Sequence, residues 1–327
     1  MLKKILTNPS NYVAIFSGIV YGLAAQFFSR INLPGEFFSD AYYVMTLGFV
    51  FVLPFVIGYV SISRAAPEAR RSWVYRILAP VFSITVSLFL ALMIGWEGSI
   101  CLVLAAVVYY PLAILGGIAA GIYYTRSDNN RLKSGILAAL LILPLVSGAV
   151  EEKIGIKAEQ SRVANSILIR ATPAEIWQQI IRVPEITEPL DGFFYKLGFP
   201  KPVEATLSYE GVGAVRVASF ERGLTFIETV DVWEPERKLS FAIKADPEST
   251  PLTTLDAHVT VGGRYFDVLR GTYEIVPVSE GVSELKLSSH IRVSTHFNFY
   301  AGWWGDFLMY DIQKTILKVI KSRAEKG

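Results

Sequence analysis

Cysteine is nearly missing from this chain of 327 residues: there is one, Cys101, inside an apolar run. An intrachain disulfide is therefore excluded, and so is a thiolate metal cluster. Compartment has to be read from hydropathy and charge instead. Histidine is almost as scarce, with three residues, His258, His290 and His296. None falls into an H-E-x-x-H or other tight metal spacing, so no metal site is expected. Serine elbows, phosphate-binding glycine loops and Cys–His arrangements are missing too, which excludes the chemistries they carry. The one Gly-x-Gly of note, Gly211 to Gly213, precedes a strand pattern and not a helix, so a dinucleotide reading fails and no cofactor is expected. Charge is also low. Asp, Glu, Lys and Arg make up 18% of the chain, against about 25% in ordinary soluble proteins. The formal net charge of +2 argues against a large nucleic-acid-binding surface.

Apolar sequence is what the chain has in excess, at 52% of residues, and most of that excess lies before residue 151. Five apolar stretches stand out, at about 11–29, 42–63, 74–96, 99–124 and 134–150. The first four have the roughly 20 residues needed to cross a hydrocarbon core, and the fifth is nearer the lower limit of about 17. Their interiors carry no acid or base; Arg76 lies at the start of the third, where it can snorkel. The first stretch is too long, and too clearly followed by others, for a cleaved signal peptide. Residues 1–150 are thus expected to form an all-α transmembrane bundle of about five helices.

Lys3, Lys4, Arg64, Arg70, Arg71, Arg126, Arg131 and Lys133 fall on one set of loops, and Arg30, Glu36, Asp40 and Glu97 on the other. That bias puts the N-terminus in the cytoplasm and the C-terminal half outside it. A re-entrant fifth stretch would reverse the second assignment. Pro54, Pro80, Pro111 and Pro144 interrupt four of the stretches with no intramembrane charge beside them, which reads as tolerated prolines in a packed bundle rather than an ion pathway. Gly116, Gly117 and Gly121 allow close approach of a neighbouring helix.

Residues 151–163 read as a polar linker and 164–327 as a second domain. A short strand at 165–170 leads to Thr172-Pro173-Ala174-Glu175, which combines an N-cap, a proline at the first helical position and the acid of a capping box. A second short helix or aromatic loop is expected over 184–198. The period then changes to two, with strands expected at 203–209, 213–221, 224–233, 238–244, 254–262, 265–277 and 283–294. The chain closes on a long helix over 297–321, whose first half, FNFYAGWWGDFLMY, is unusually aromatic. This order gives an α+β domain: an antiparallel sheet with helices on one side.

The run Thr172 to Trp177 after a short strand resembles the opening of the SRPBCC superfamily, the START-like, helix-grip group that includes polyketide cyclases, lipid-transfer proteins and the birch-pollen allergen. The segments Gly211 to Arg216 and Val232 to Leu239 resemble that family's central hairpins, and the closing helix fits. The resemblance covers about 164–325. It implies a curved sheet gripping the long helix around a pocket for a hydrophobic ligand such as a sterol, lipid or polyketide. It does not imply one activity, because function is carried by sites and not by folds.

On that basis the expected pocket residues are Trp177, Phe226, Tyr273, Trp303, Trp304 and Phe307, with Arg216 and Asp306 as orienting polar groups. Asp306 and His296 are the candidate acid–base residues. Glu228 and Asp231 stand in an otherwise apolar strand, with Arg216 and Arg270 as potential partners. The rings of 297–310 and of Phe193 to Tyr195 are alternatively suited to a lipid headgroup region. The expected function is binding, carriage or sensing of a hydrophobic molecule or membrane lipid. The alternatives are a cyclase- or dehydratase-type enzyme and a docking module in a membrane complex.

Overall fold

The computed structural model describes residues 5, 7–29, 45–127, 129–245 and 260–326. They form two units, Met1–Ile156 and Lys157–Gly327. The loop charges Lys3, Lys4, Arg30, Glu36 and Asp40, the candidate His258 and residues 254–259 of the expected fifth strand all lie outside the described residues.

The first unit is helical: α1 (Pro9–Phe28), α2 (Leu53–Ser63), α3 (Pro67–Arg71), α4 (Trp73–Met93), α5 (Ser99–Arg126) and α6 (Asn130–Ile154). Among the described residues, four apolar segments are long enough to cross a membrane: Pro9–Phe28, Trp73–Met93, Ser99–Arg126 and Asn130–Gly148. The second expected span is the shorter apolar helix Gly48–Ser63. Its first turn, Gly48–Val52, is π-helical and runs into Pro54 near the start of α2. Nearly every residue of α2 is buried, as expected of a helix that is apolar all round. The other helices face outward with large apolar side chains, among them Phe16, Val20, Leu78, Phe82, Phe89, Val107, Leu115, Ile142 and Val146.

Small residues set the packing. A Cβ at Gly116 would overlap the Phe55 carbonyl, and one at Gly117 would lie 2.5 Å from the Arg76 carbonyl oxygen. Ser61 Oγ donates to Ser83 Oγ at 2.8 Å between buried helix faces, a small polar contact that lets the two helices approach closely. Arg76 does not snorkel outward. It is buried against α5, and its Nε donates to the Arg70 carbonyl at 2.6 Å.

The linker is shorter than expected. Helix α6 continues to Ile154 because Glu151 is buried, its carboxylate accepting from the N–H groups of Leu47 (2.7 Å) and Gly48 (3.1 Å) at the orphaned start of the π turn. Strand β1 then begins at Glu159, because the polar residues 159–162 form part of an edge strand paired with the last strand.

The second unit contains β1 (Glu159–Ile169), α7 (Pro173–Ile181), α8 (Phe193–Lys196), β2 (Pro202–Leu207), β3 (Val215–Phe220), β4 (Thr225–Glu234), β5 (Lys238–Ala245), β6 (Phe266–Ser279), β7 (Val282–Val293) and α9 (Asn298–Ala324). The expected capping box is formed: Thr172 Oγ1 accepts from Glu175 N–H, and the Glu175 carboxylate accepts from Thr172 N–H at 2.7 Å. Among the described residues the sheet has seven strands in the order β1-β7-β6-β5-β4-β3-β2, antiparallel throughout. Register shifts at Val230/Val232 and Val268/Arg270 bend it, since a bulge adds local twist. Helix α9 lies on β1 and β7 and reaches α7. Ile176, Trp177, Ile180, Leu239, Leu285, Leu317 and Ile320 fill the core between them.

Candidate functional site

Between the bent sheet and α9 is a cavity of about 130 Å³. One water needs about 10–15 Å³ measured the same way, and dry cavities close to this size admit a benzene-sized ring. Its walls come from Phe199, Phe220, Phe226, Phe241, Phe266 and Leu287, and from the Leu308, Met309, Ile312 and Ile316 face of α9. Gly271 also lines it: a Cβ there would lie 2.6 Å from Phe241 Cε2, so the missing side chain is what lets that ring lie across β6.

Set into this apolar wall is one buried ion pair. Arg216 on β3 and Glu228 on β4 are directly opposite in register, and Arg216 Nη1 donates to Glu228 Oε2. Both side chains are almost wholly buried, at 5% and 8% exposure. The Arg216 guanidinium also stands 5.3 Å from the centre of the Phe241 ring. Among the described residues, Arg216 Nε is buried without a hydrogen-bond partner. A buried donor left open beside a cavity is unusual enough to require an explanation.

Burial pushes the Glu228 carboxyl above the ordinary carboxylate range, and the charge of Arg216 pulls it part of the way back. Burial also raises the Tyr273 hydroxyl, to about 12. Gln313 of α9 completes the polar set: its Nε2 donates to Ser289 Oγ at 2.9 Å and to the Val163 carbonyl at 3.1 Å, and both Gln313 and Ser289 line the cavity. The other two candidates, Arg270 and Asp231, pair with each other at 2.5 Å in a more exposed place and do not line the cavity.

Of the residues expected in the pocket, Arg216, Phe226 and Tyr273 line it. Trp177 does not; its ring packs edge-on against Trp233 at 5.1 Å within the core. Trp304 is buried beside Phe194 and Tyr300 but outside the lining. Trp303 stacks on Phe307, whose ring lies tilted 5.6 Å from Phe193; neither Trp303 nor Phe307 lines the cavity. Asp306 is not an orienting group of the cavity: its Oδ1 accepts from Ser161 Oγ of β1 at 2.6 Å. His296 sits in the turn before α9, away from the lining. Sequence reasoning missed Gln313 and Ser289, although a glutamine inside the apolar stripe of α9 is a readable signal. Among the described residues, no three His, Cys, Asp or Glu side chains are placed to hold a metal ion.

The C-terminal half is a helix-grip domain. The strand order and the closing helix show this. Among solved structures it is similar to the protein XoxI from Bacillus cereus, at 17% identity over 50% of this chain and 94% of that one, TM-score 0.32. It is also similar to Ara h 8.0201, at 10% identity over 52% and 100%, TM-score 0.32. A third is the Zhui aromatase/cyclase from Streptomyces sp. R1128, at 14% identity over 51% and 95%, TM-score 0.32. No protein-family model matches the chain, and no curated protein does.

Proposed function

We propose that this chain is a multi-pass membrane protein whose helix-grip domain binds, carries or senses a hydrophobic small molecule or lipid. The observation that carries the reading is the apolar cavity with a buried, incompletely satisfied arginine in its wall. Apolar walls supply affinity for a hydrophobic body, and a few fixed polar groups orient it. Arg216 Nε offers a hydrogen bond to an acceptor on that ligand, Glu228 holds the guanidinium in place, and Gln313 with Ser289 marks a second polar point. Four spans and their exposed apolar side chains support embedding in a bilayer. The loop charges favour an extracytoplasmic position for the domain.

The test fills the cavity. Ala218 lines it from β3, so Ala218→Phe reduces its volume. The full chain and the variant are purified alike and extracted with organic solvent, and the extracts are compared by mass spectrometry. A species bound at about one per chain in the native protein and lost in the variant supports the reading. Identical extracts overturn it. A second reading, acid–base catalysis in the cavity, is favoured by the raised carboxyl of Glu228; it gains if Glu228→Gln keeps the bound species but abolishes its conversion.

A further inference from the structure

The rings that the cavity does not use form a surface of their own. Phe299, Trp303, Phe307 and Tyr310 follow at steps of four, four and three along α9, one side of a helix. Phe299 is 73% exposed, Trp303 58% and Tyr310 45%, and the ring of Phe193 of α8, at 39%, lies 5.6 Å from that of Phe307. Tryptophan, tyrosine and phenylalanine in one exposed patch match the composition of membrane–water interfaces better than that of a dry protein core. The stripe then changes to Lys314, whose ammonium stands 6.0 Å from the Tyr310 ring. Lys157 and Lys196 are exposed as well. The nearby acids are largely engaged: Asp306 accepts from Ser161, and Asp311 accepts from Phe194 N–H at 3.0 Å; Glu159 is exposed.

Covalent connectivity identifies the occupant. Asn298, the first residue of α9, donates through Nδ2 to the Lys157 carbonyl at 2.7 Å. Lys157 follows the last residue of α6, Ile154, by three peptide links, a reach of roughly 10 Å. The aromatic start of α9 is therefore tethered within a short reach of the last apolar helix.

We propose that the Phe193, Phe299, Trp303, Phe307 and Tyr310 face docks on the bilayer in which the first unit is embedded, its rings among the headgroups and its lysines at the lipid phosphates. This rests on the membrane part of the functional reading and is independent of any ligand in the cavity.

The test uses the full chain in nanodiscs of mixed phosphatidylcholine and phosphatidylglycerol, one chain per disc, in a Cys101→Ser background. Nitroxide labels are placed through Trp303→Cys, Phe299→Cys and, as control, Val278→Cys. Val278 is exposed at the far end of β6 from Phe266, the residue that pairs with Val293 just before α9. Labels at 303 and 299 are expected to show nickel-chelate collision rates several-fold below that at 278, with oxygen access retained, at a depth of about 5–10 Å. Equal nickel access at all three positions overturns the docking and leaves the cavity reading untouched. Protection of 303 and 299 from both reagents also overturns it, because protein then covers the face. A chain that stays dispersed without detergent or lipid overturns the membrane reading and the docking together.

Discussion

Arg216→Met separates what the buried ion pair does for the fold from what it does for the cavity. Removing one partner of a buried pair leaves an uncompensated charge and costs about 3–5 kcal/mol, whereas replacing both partners by apolar residues of similar volume is often neutral or stabilising. Arg216 and Glu228 meet the condition, with 5% and 8% of their side chains exposed. At 1.36 kcal/mol per factor of ten, the single variant is expected to raise the opening equilibrium of β3 and β4 roughly a hundred- to several-thousand-fold. Hydrogen exchange of the full chain in nanodiscs reads this strand by strand, without assuming one transition for two units. Arg216→Met with Glu228→Leu is expected to recover most of the loss.

The pH dependence has a definite sign. Without Arg216, burial alone acts on Glu228, so its folded-state value rises further above the unfolded one. The folded state then holds the extra proton, and stability falls as pH rises through that window. The variant is accordingly least protected at alkaline pH. An effect of Arg216→Met within about 0.5 kcal/mol, typical of a surface site, would refute the burial argument. A double variant as unstable as the single one would show that shape, not charge, is at stake.

Glu188 is expected to behave oppositely. Its bonds from Arg323, at 2.7 and 2.8 Å, hold its carboxyl down at about 2, so their contribution is complete above the ordinary carboxylate range and is lost as pH falls toward 2. Glu188→Gln should remove about 1–2 kcal/mol of protection from the 184–188 segment at neutral pH and flatten its acid dependence, measured by the same exchange. Gly271→Ala places a methyl against Phe241; it is expected to cost about 1–3 kcal/mol and to weaken uptake of an apolar fluorescent probe. In the first unit, Gly116→Ala drives a Cβ into the Phe55 carbonyl, which cannot move aside as a side chain would, and should abolish recovery of folded protein from detergent. Gly302→Ala meets nothing within 4 Å and should stabilise α9 by about 0.5–1 kcal/mol in thermal melts.

The elements were legible because each has one dominant physical signal. Long uncharged runs mark the apolar helices, Thr172 to Glu175 carries three helix-start cues, and Leu285 to Val293 alternates as an inward-facing strand must. The linker was misplaced because polar composition does not distinguish a linker from an edge strand, and because Glu151 is polar for a tertiary reason, the capping of a turn about a hundred residues earlier in the chain. The Arg216–Glu228 pair was legible only as two charges in apolar strands. Pairing them requires the hairpin register, and an error of one residue turns every side chain to the other face.

The division of α9 into two faces could have been read further than residue size suggests. At about 100° per residue, Trp303 lies nine positions before Ile312 and so stands about 180° from it, while Phe307 stands about 140° away. A helix that turns Leu308, Ile312 and Ile316 into a cavity turns Trp303, about 140–180° from all three, away from it. Large rings are therefore poor guides to a pocket on a long helix unless their angular position is considered first. The smaller Leu308, Met309 and Ile316, with one glutamine among them, help to line the cavity, and the rings on the other face pack on one another and on α8 instead. On the proposed reading, a domain with one face for a hydrophobic ligand and another on a lipid surface exchanges that ligand without its crossing much water, which is a physical reason to keep such a domain on the same chain as a set of apolar helices.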